Sequence, residues 1–184
     1  MTGNMTGNMT GNMAGNTPIK LDIQPLTAAG FADFGTVIET NGAQQIPINQ
    51  GTTTRYDALA AVDVDAEDGR PSISIFRGMR WPSPIEIHLL ERHPLGSQAF
   101  MPLQPHDWLI VVAHGNKAGD GPDFSSLACF KASHLQGVNY ARGTWHHPLL
   151  TLQQSQDFLV IDRQGGGANL DEVWHDGPAA LINI

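Results

Sequence analysis

The stretch "IEIHLLERHPLGSQAFMPL", residues 85–103, decides how this chain folds. Ile85 to Leu89 alternates apolar and polar residues with period two, the pattern of a strand with one face inside and one outside. A Pro94-Leu95-Gly96 turn follows, and the chain then continues in β-forming residues. Side chains two apart on an extended chain lie on one face, so Glu91 and His93 point the same way. Gln98 follows across the turn. Glu91, His93 and Gln98 can therefore project from neighbouring strands into one space.

The same texture extends in both directions. "SISIF" (Ser72 to Phe76) alternates, "WLIVVAH" (Trp108 to His114) is a continuous β-rich run, and "LACFKA" and "FLVID" (Phe158 to Asp162) are shorter. Gly- and Pro-bearing breaks separate them: "GMRWPSP", "HPLGS", "GNKAGDGPD" and "RQGGG". One segment, "TAAGFADFG" (Thr27 to Gly35), offers an N-cap in Thr27 and a glycine stop, which predicts one short helix near the N-terminus. Many short strands with no helical crossovers predict an all-β sandwich or barrel and exclude a doubly wound sheet.

A second stretch, "GVNYARGTWHHPL" (Gly137 to Leu149), leads from a glycine-bearing turn into a strand carrying two adjacent histidines. On a strand these point to opposite faces, so one should face the interior and the other outward. We assign His146 to the interior and His147 to the opposite face, beneath an adjoining loop or at a contact between subunits. Arg92 should lie outside, opposite to Glu91 and His93, and Asp162 and Arg163 should pair at a strand end.

The chain has 184 residues, of which 18 are acidic and 10 basic, for a formal net charge of -8. That balance argues against a nucleic-acid backbone or an anionic membrane surface as partner, while one or two arginines could still hold a small anion. No apolar run approaches the roughly 18 residues of a membrane span. Cys129 is the only cysteine, so there is no internal disulfide and no cysteine zinc site; its strand-like neighbours suit a buried, inert thiol. The N-terminus lacks the basic and apolar regions of a secretory signal, and a cytoplasmic location is expected. The repeat "MTGNMTGNMTGNMAGN" opens the chain. Its period fits neither helix nor strand, which predicts a low-complexity, disordered tail over residues 1–18 and a single domain over 19–184.

A strand offering ligands at i and i+2, a third past a turn and a distant histidine after a glycine turn resembles the metal site of the cupin superfamily. The cupin pattern HxH, three or four residues, then Glu becomes Glu91-x-His93, four residues, Gln98. The second cupin motif becomes Gly143-Thr-Trp-His146. Spacing is kept while two ligand types change. Carboxylate, amide oxygen and two imidazoles are acceptable ligands for a divalent ion, so Glu91, His93, Gln98 and His146 form a candidate metal set. The plainer reading is that buried His and Gln satisfy each other by hydrogen bonds.

Three longer strings, "LLERHPLGSQAFMPL", "QGVNYARGTWHHPLL" and "DFLVIDRQG", resemble the ureidoglycolate lyase family, also called ureidoglycolate hydrolases. "GTVIET" at Gly35, the Asn49-Gln50-Gly51 turn and Arg55-Tyr56 are similar too, so the likeness runs from about Lys20 to the C-terminus. The resemblance implies a cupin-like fold, cleavage of (S)-ureidoglycolate to glyoxylate and urea in allantoin breakdown, subunits that pair as homodimers, and a weakly held divalent metal such as nickel. For that chemistry we assign His146, His93 and Arg142 as catalytic residues; Arg142, beside the strand that carries His146, is the candidate for the substrate carboxylate because its guanidinium can bind both oxygens. Arg55, Tyr56 and Asn139 would contact the substrate. Two alternatives stand beside it: an amidohydrolase releasing ammonia, which needs a tightly held metal with an open position, and a non-catalytic cupin that binds a small carboxylate.

Overall fold

The computed structural model describes residues 17–184. The tail expected over residues 1–18 lies outside the described residues as far as Asn16. The described chain runs β1 (Ile19–Lys20), β2 (Ile23–Pro25), α1 (Ala28–Phe31), β3 (Gly35–Ile38), β4 (Gln44–Ile48), β5 (Thr53–Asp57) and β6 (Arg70–Met79). It continues through β7 (Ile85–Ile87), β8 (Leu89–Arg92), β9 (Gln98–Pro102), β10 (Trp108–Ala113), β11 (Ala128–Ala132) and β12 (Gly137–Tyr140). β13 (Trp145–His146), β14 (Leu150–Thr151), β15 (Ser155–Gln164), β16 (Asp171–Trp174) and β17 (Ala180–Ile182) complete it. Thr27 caps α1 by accepting a hydrogen bond from Gly30 N at 3.1 Å. The glycine stop falls elsewhere than expected. The helix ends at Phe31, and Gly35 instead opens β3 at φ 148°, where a Cβ would stand 2.1 Å from Asn139 O.

The expected all-β sandwich is present. The strands form a sheet ordered β16-β8-β13-β10-β11-β2, a second ordered β3-β12-β9-β15-β6, and a small sheet β1-β17-β7. The first of these lies in the middle. One of its faces packs Trp108, Ile110, Val112 and Phe130 against Phe100, Val138, Tyr140, Phe158 and Val160 of the second sheet. Its other face packs Leu90, Leu109, Val111, Cys129 and Trp145 against Ile85, Ile87, Ala180 and Ile182 of the small sheet. A strand covered on both faces has no polar side to show, which is why "WLIVVA" reads as an unbroken apolar run.

The alternation in "SISIF" has a different outcome. β6 is an edge strand, and Phe76 points inward to meet Phe100 at 5.9 Å between ring centroids. Ile73 and Ile75, on the outer face, are 72% and 56% exposed. Arg163 also departs from expectation: it is buried and donates to the carbonyls of Ala66, Glu67 and Gly166 rather than pairing with Asp162. Apart from these sheets, β4 and β5 form a hairpin of their own, paired with no other strand among the described residues. No helix of the described chain is long and apolar enough to cross a membrane.

Candidate active site

The register places the residues of the site. β13 pairs with β10 so that His146 lies opposite Val112, and with β8 so that His146 lies opposite Glu91. Val112 faces the gap between the two large sheets, so His146 and Glu91 face it too, and His93 follows two residues on. Tyr140 lies opposite Gln98 across β12 and β9, and both are buried in the sheet that faces the triad. Ligand atoms of Glu91, His93 and His146 all lie within 4.8 Å of one another.

The backbone fixes the state of both imidazoles. His93 Nδ1 is 2.8 Å from Asn169 O, and His146 Nδ1 is 2.9 Å from Thr144 O. A carbonyl oxygen only accepts, so each Nδ1 carries the proton and each Nε2 presents a lone pair. Both Nε2 atoms are buried without a hydrogen-bond partner, as is Gln98 Oε1. Orphaned acceptors of this kind, aimed into one space beside a carboxylate, fit a divalent cation or a substrate hydroxyl better than mutually satisfied filler.

The ring of His146 is held from one side by Tyr140, stacked at 4.2 Å and 13° between planes. His146 Nε2 stands 3.5 Å from Glu91 Oε1, and the two attract each other once the imidazole takes up a second proton. Burial alone would raise the Glu91 carboxyl, but the attraction of His146, His93 and His147 outweighs it and holds the group below its usual value. Glu91 and Gln98 line a cavity of about 350 Å³ together with Phe76, Arg77 and Gly78 of β6, Phe100, Pro148 and Leu149. Apolar walls with a few convergent polar groups are the usual form of a small-molecule site.

His147 takes the opposite face and is buried there too, beneath an adjoining segment rather than open to solvent. Its ring stands edge-on to Trp81 at 5.0 Å, and its Nδ1 is 2.8 Å from Pro148 O. The segment after β6 covers it. Burial pushes its pKa down to about 4. Arg92 lies away from the triad, donating to Asp171 at 2.8 Å with its guanidinium 4.6 Å from the Trp145 ring centroid.

Other expected site residues lie elsewhere. Arg142 pairs with Asp63 and Asp65 and borders two recesses, neither of them the cavity lined by Glu91 and Gln98. Asn139 alternates with the inward Val138 and Tyr140, and it donates to Ala61 O at 3.0 Å. Arg55 and Tyr56 sit on the β4–β5 hairpin, and Arg55 reaches only Asp57, at 2.5 Å. Within one chain the structure therefore gathers Glu91, His93, Gln98 and His146, but not Arg142, Arg55, Tyr56 or Asn139. Sequence reasoning missed Tyr140 and Asn169. Tyr140 lies two residues beyond Val138 on a strand beside the site, a signal that could have found it. Asn169 acts through its backbone carbonyl from far along the chain, and no residue type announces that.

A family profile described as ureidoglycolate lyase matches residues 18–182. A ureidoglycolate lyase of Burkholderia mallei is 55% identical over 152 residues, covering 83% of this chain and 87% of that protein. Those of Azotobacter vinelandii and Pseudomonas syringae pv. tomato are 51% and 48% identical; this alignment covers 83% and 88% of the chain, and 90% and 94% of the relatives. A profile match of that span, with relatives at that identity, places the chain in the ureidoglycolate lyase family.

Proposed function

We propose that the protein is a carbon-nitrogen lyase that cleaves (S)-ureidoglycolate to glyoxylate and urea, a step of purine and allantoin breakdown, on a single domain over residues 19–184. The observation that carries this reading is the pair of proton-free Nε2 atoms, on His93 and His146, facing one space beside the Glu91 carboxylate. The substrate is a carbinolamide, with one carbon bearing a hydroxyl, a carboxylate and a ureido nitrogen. Loss of the hydroxyl proton lets the oxyanion collapse to an aldehyde while the carbon-nitrogen bond breaks and urea leaves. The Glu91–His146 pair takes the hydroxyl proton and returns it to the leaving nitrogen, so no net proton is consumed. Tyr140 and the Thr144 carbonyl hold His146 in place for that transfer, and the Asn169 carbonyl does the same for His93.

The same donors suit a weakly held divalent cation. Glu91, His93 and His146 would hold it, with Gln98 lining the same cavity as Glu91, and it would supply positive charge to the developing oxyanion. Phe76, Phe100 and Leu149 limit water around the reacting carbon.

The enzyme works as a homodimer in the cytoplasm. Pairing is supported by the uncovered outer face of the second sheet, where Ile73, Ile75 and Met79 are exposed beside the half-buried Met101, Leu159 and Ile161. The buried, unpaired Cys129 suits a reducing compartment.

The test is the product ratio from (S)-ureidoglycolate, urea against ammonia, with and without chelator and after subtracting the spontaneous rate. Urea with glyoxylate is expected. Ammonia in place of urea would transfer the protein to the amidohydrolases, and neither product above background would leave a binding protein.

A further inference from the structure

We infer that the β4–β5 hairpin is an exchanged arm, reaching a second copy of this chain and delivering Arg55 and Tyr56 to that copy's cavity. This deepens the lyase reading and rests on it. Three observations carry it.

The first is the hairpin itself. Residues 44–57 pair only with one another, and an isolated two-stranded hairpin is at best marginally stable in water. Its side chains are exposed or half-buried throughout, with Ile48 36% and Tyr56 39% exposed. Asn49 and Gln50, at its tip, take positive φ values of 51° and 58°. Left-handed residues at a tip bend it tightly, and such strain persists where a surrounding structure uses it. Among the described residues no other strand pairs with it, and of its strand residues only Ile46 and Asp57 are half-buried.

The second is the cavity, which is incomplete. Its ligand carries a carboxylate, yet the only side-chain cation among the described residues that line it is Arg77. That guanidinium is already committed to Asp157 by two bonds of 2.7 and 2.8 Å. Arg55, by contrast, is 61% exposed in its side chain and among the described residues pairs with its neighbour Asp57 alone. An exposed pair of that kind is weak and readily exchanged for a bidentate bond to a substrate carboxylate.

The third is the surface beside the cavity. Phe76 and Gly78, which line it, alternate along β6 with the exposed Ile75 and Met79. This apolar edge gives Ile48 and Tyr56 of an incoming arm something to cover. In a two-fold pair the exchange is reciprocal, so each cavity receives one arm and no arm is left over.

The experiment is subunit complementation. Chains carrying Arg55→Ala and His146→Ala, each with a different affinity tag, are co-expressed, and the mixed pair is isolated through both tags. Each parent homodimer should fall at least about tenfold below wild type in kcat/KM, since both lose a charge-assisted contact or the proton carrier. The mixed pair should recover about half of the wild-type rate, because one of its two cavities then has an intact triad and an intact arm. A mixed pair as inactive as its parents would mean that the arm serves its own chain, and the inference would be overturned. An Arg55→Ala homodimer as active as wild type, or a chain that forms no pair, would overturn it equally.

A readout independent of the reaction separates this from failure of the lyase reading. The double variant Ile48→Asp, Tyr56→Asp should raise the dissociation constant of the pair at least about tenfold by sedimentation. An unchanged constant would overturn the arm even if the wild type makes urea. A raised constant with no urea from the wild type would overturn the lyase reading and leave the arm standing.

Discussion

Protonating His147 should unfold this protein more readily, and the size of the effect follows from its burial. The ring is 4% exposed, wedged edge-on against Trp81, with its one N–H donated to Pro148 O. Burial disfavours the charged ring and lowers its pKa to about 4 from an ordinary value of 6.5. A histidine with a depressed folded pKa keeps its full contribution above the unfolded value and loses it as pH falls toward the folded one. The window is therefore pH 6.5 down to about 4. Linkage over those values gives a loss of about 2 kcal/mol at pH 5, approaching about 3 kcal/mol once both states are protonated. The assay is urea denaturation followed by tryptophan fluorescence, in chelator, at pH 7.5 and pH 5, on wild type and His147→Asn. Asparagine keeps a donor for Pro148 O but does not titrate. Lost packing will lower the variant's stability at both pH values, so the readout is the difference between them. Wild type should lose about 2 kcal/mol more than the variant on acidification. Equal losses would refute the reasoning.

Other expectations follow from single contacts. Gly35→Ala should cost about 2 kcal/mol or more in denaturant unfolding, because φ 148° and a Cβ 2.1 Å from Asn139 O would separate β3 from β12; an unchanged midpoint would contradict this. Cys129 is fully buried with its thiol pushed up to about 12, so a thiol reagent at pH 8 should label it only after unfolding, and rapid labelling of the native protein would be a contrary result. Tyr140→Phe keeps the ring stacked on His146 and should keep turnover within a few-fold, whereas Tyr140→Ala should lower kcat by about tenfold or more; equal rates for the two variants would remove the clamp from the account.

Much of the fold could be read from period and punctuation. The alternation from Ile85 to Leu89 announces strand, although the chain divides it at His88 between β7 of the small sheet and β8 of the middle one; the Pro-Leu-Gly turn marks the passage to β9, and Thr27 announces the helix it caps. The three-layer arrangement was less legible. A continuous apolar run such as β10 shows burial on both faces, but the sequence does not say what covers the second face. The burial of His147 has the same origin. Strand alternation correctly separates it from His146, yet the covering Trp81 lies far along the chain. At the site, Glu91 and His93 share a face because period two demands it, and His146 joins them through a register no local pattern encodes. Arg142 was read by proximity to the histidines, but beyond the end of β12 the chain turns and its side chain meets Asp63 and Asp65 instead. Arg55 and Tyr56 were legible as a motif and not as a place, because the hairpin that carries them leaves the body of the fold.

The most direct test of the central claim is turnover of (S)-ureidoglycolate by His93→Ala and His146→Ala, on protein whose circular dichroism and unfolding midpoint establish that it is folded. The account predicts that each variant loses at least about a hundredfold in urea and glyoxylate production, since each removes a lone pair aimed at the reacting centre. Turnover at the wild-type rate in either folded variant would contradict it and move the chemistry out of the gap between the two sheets.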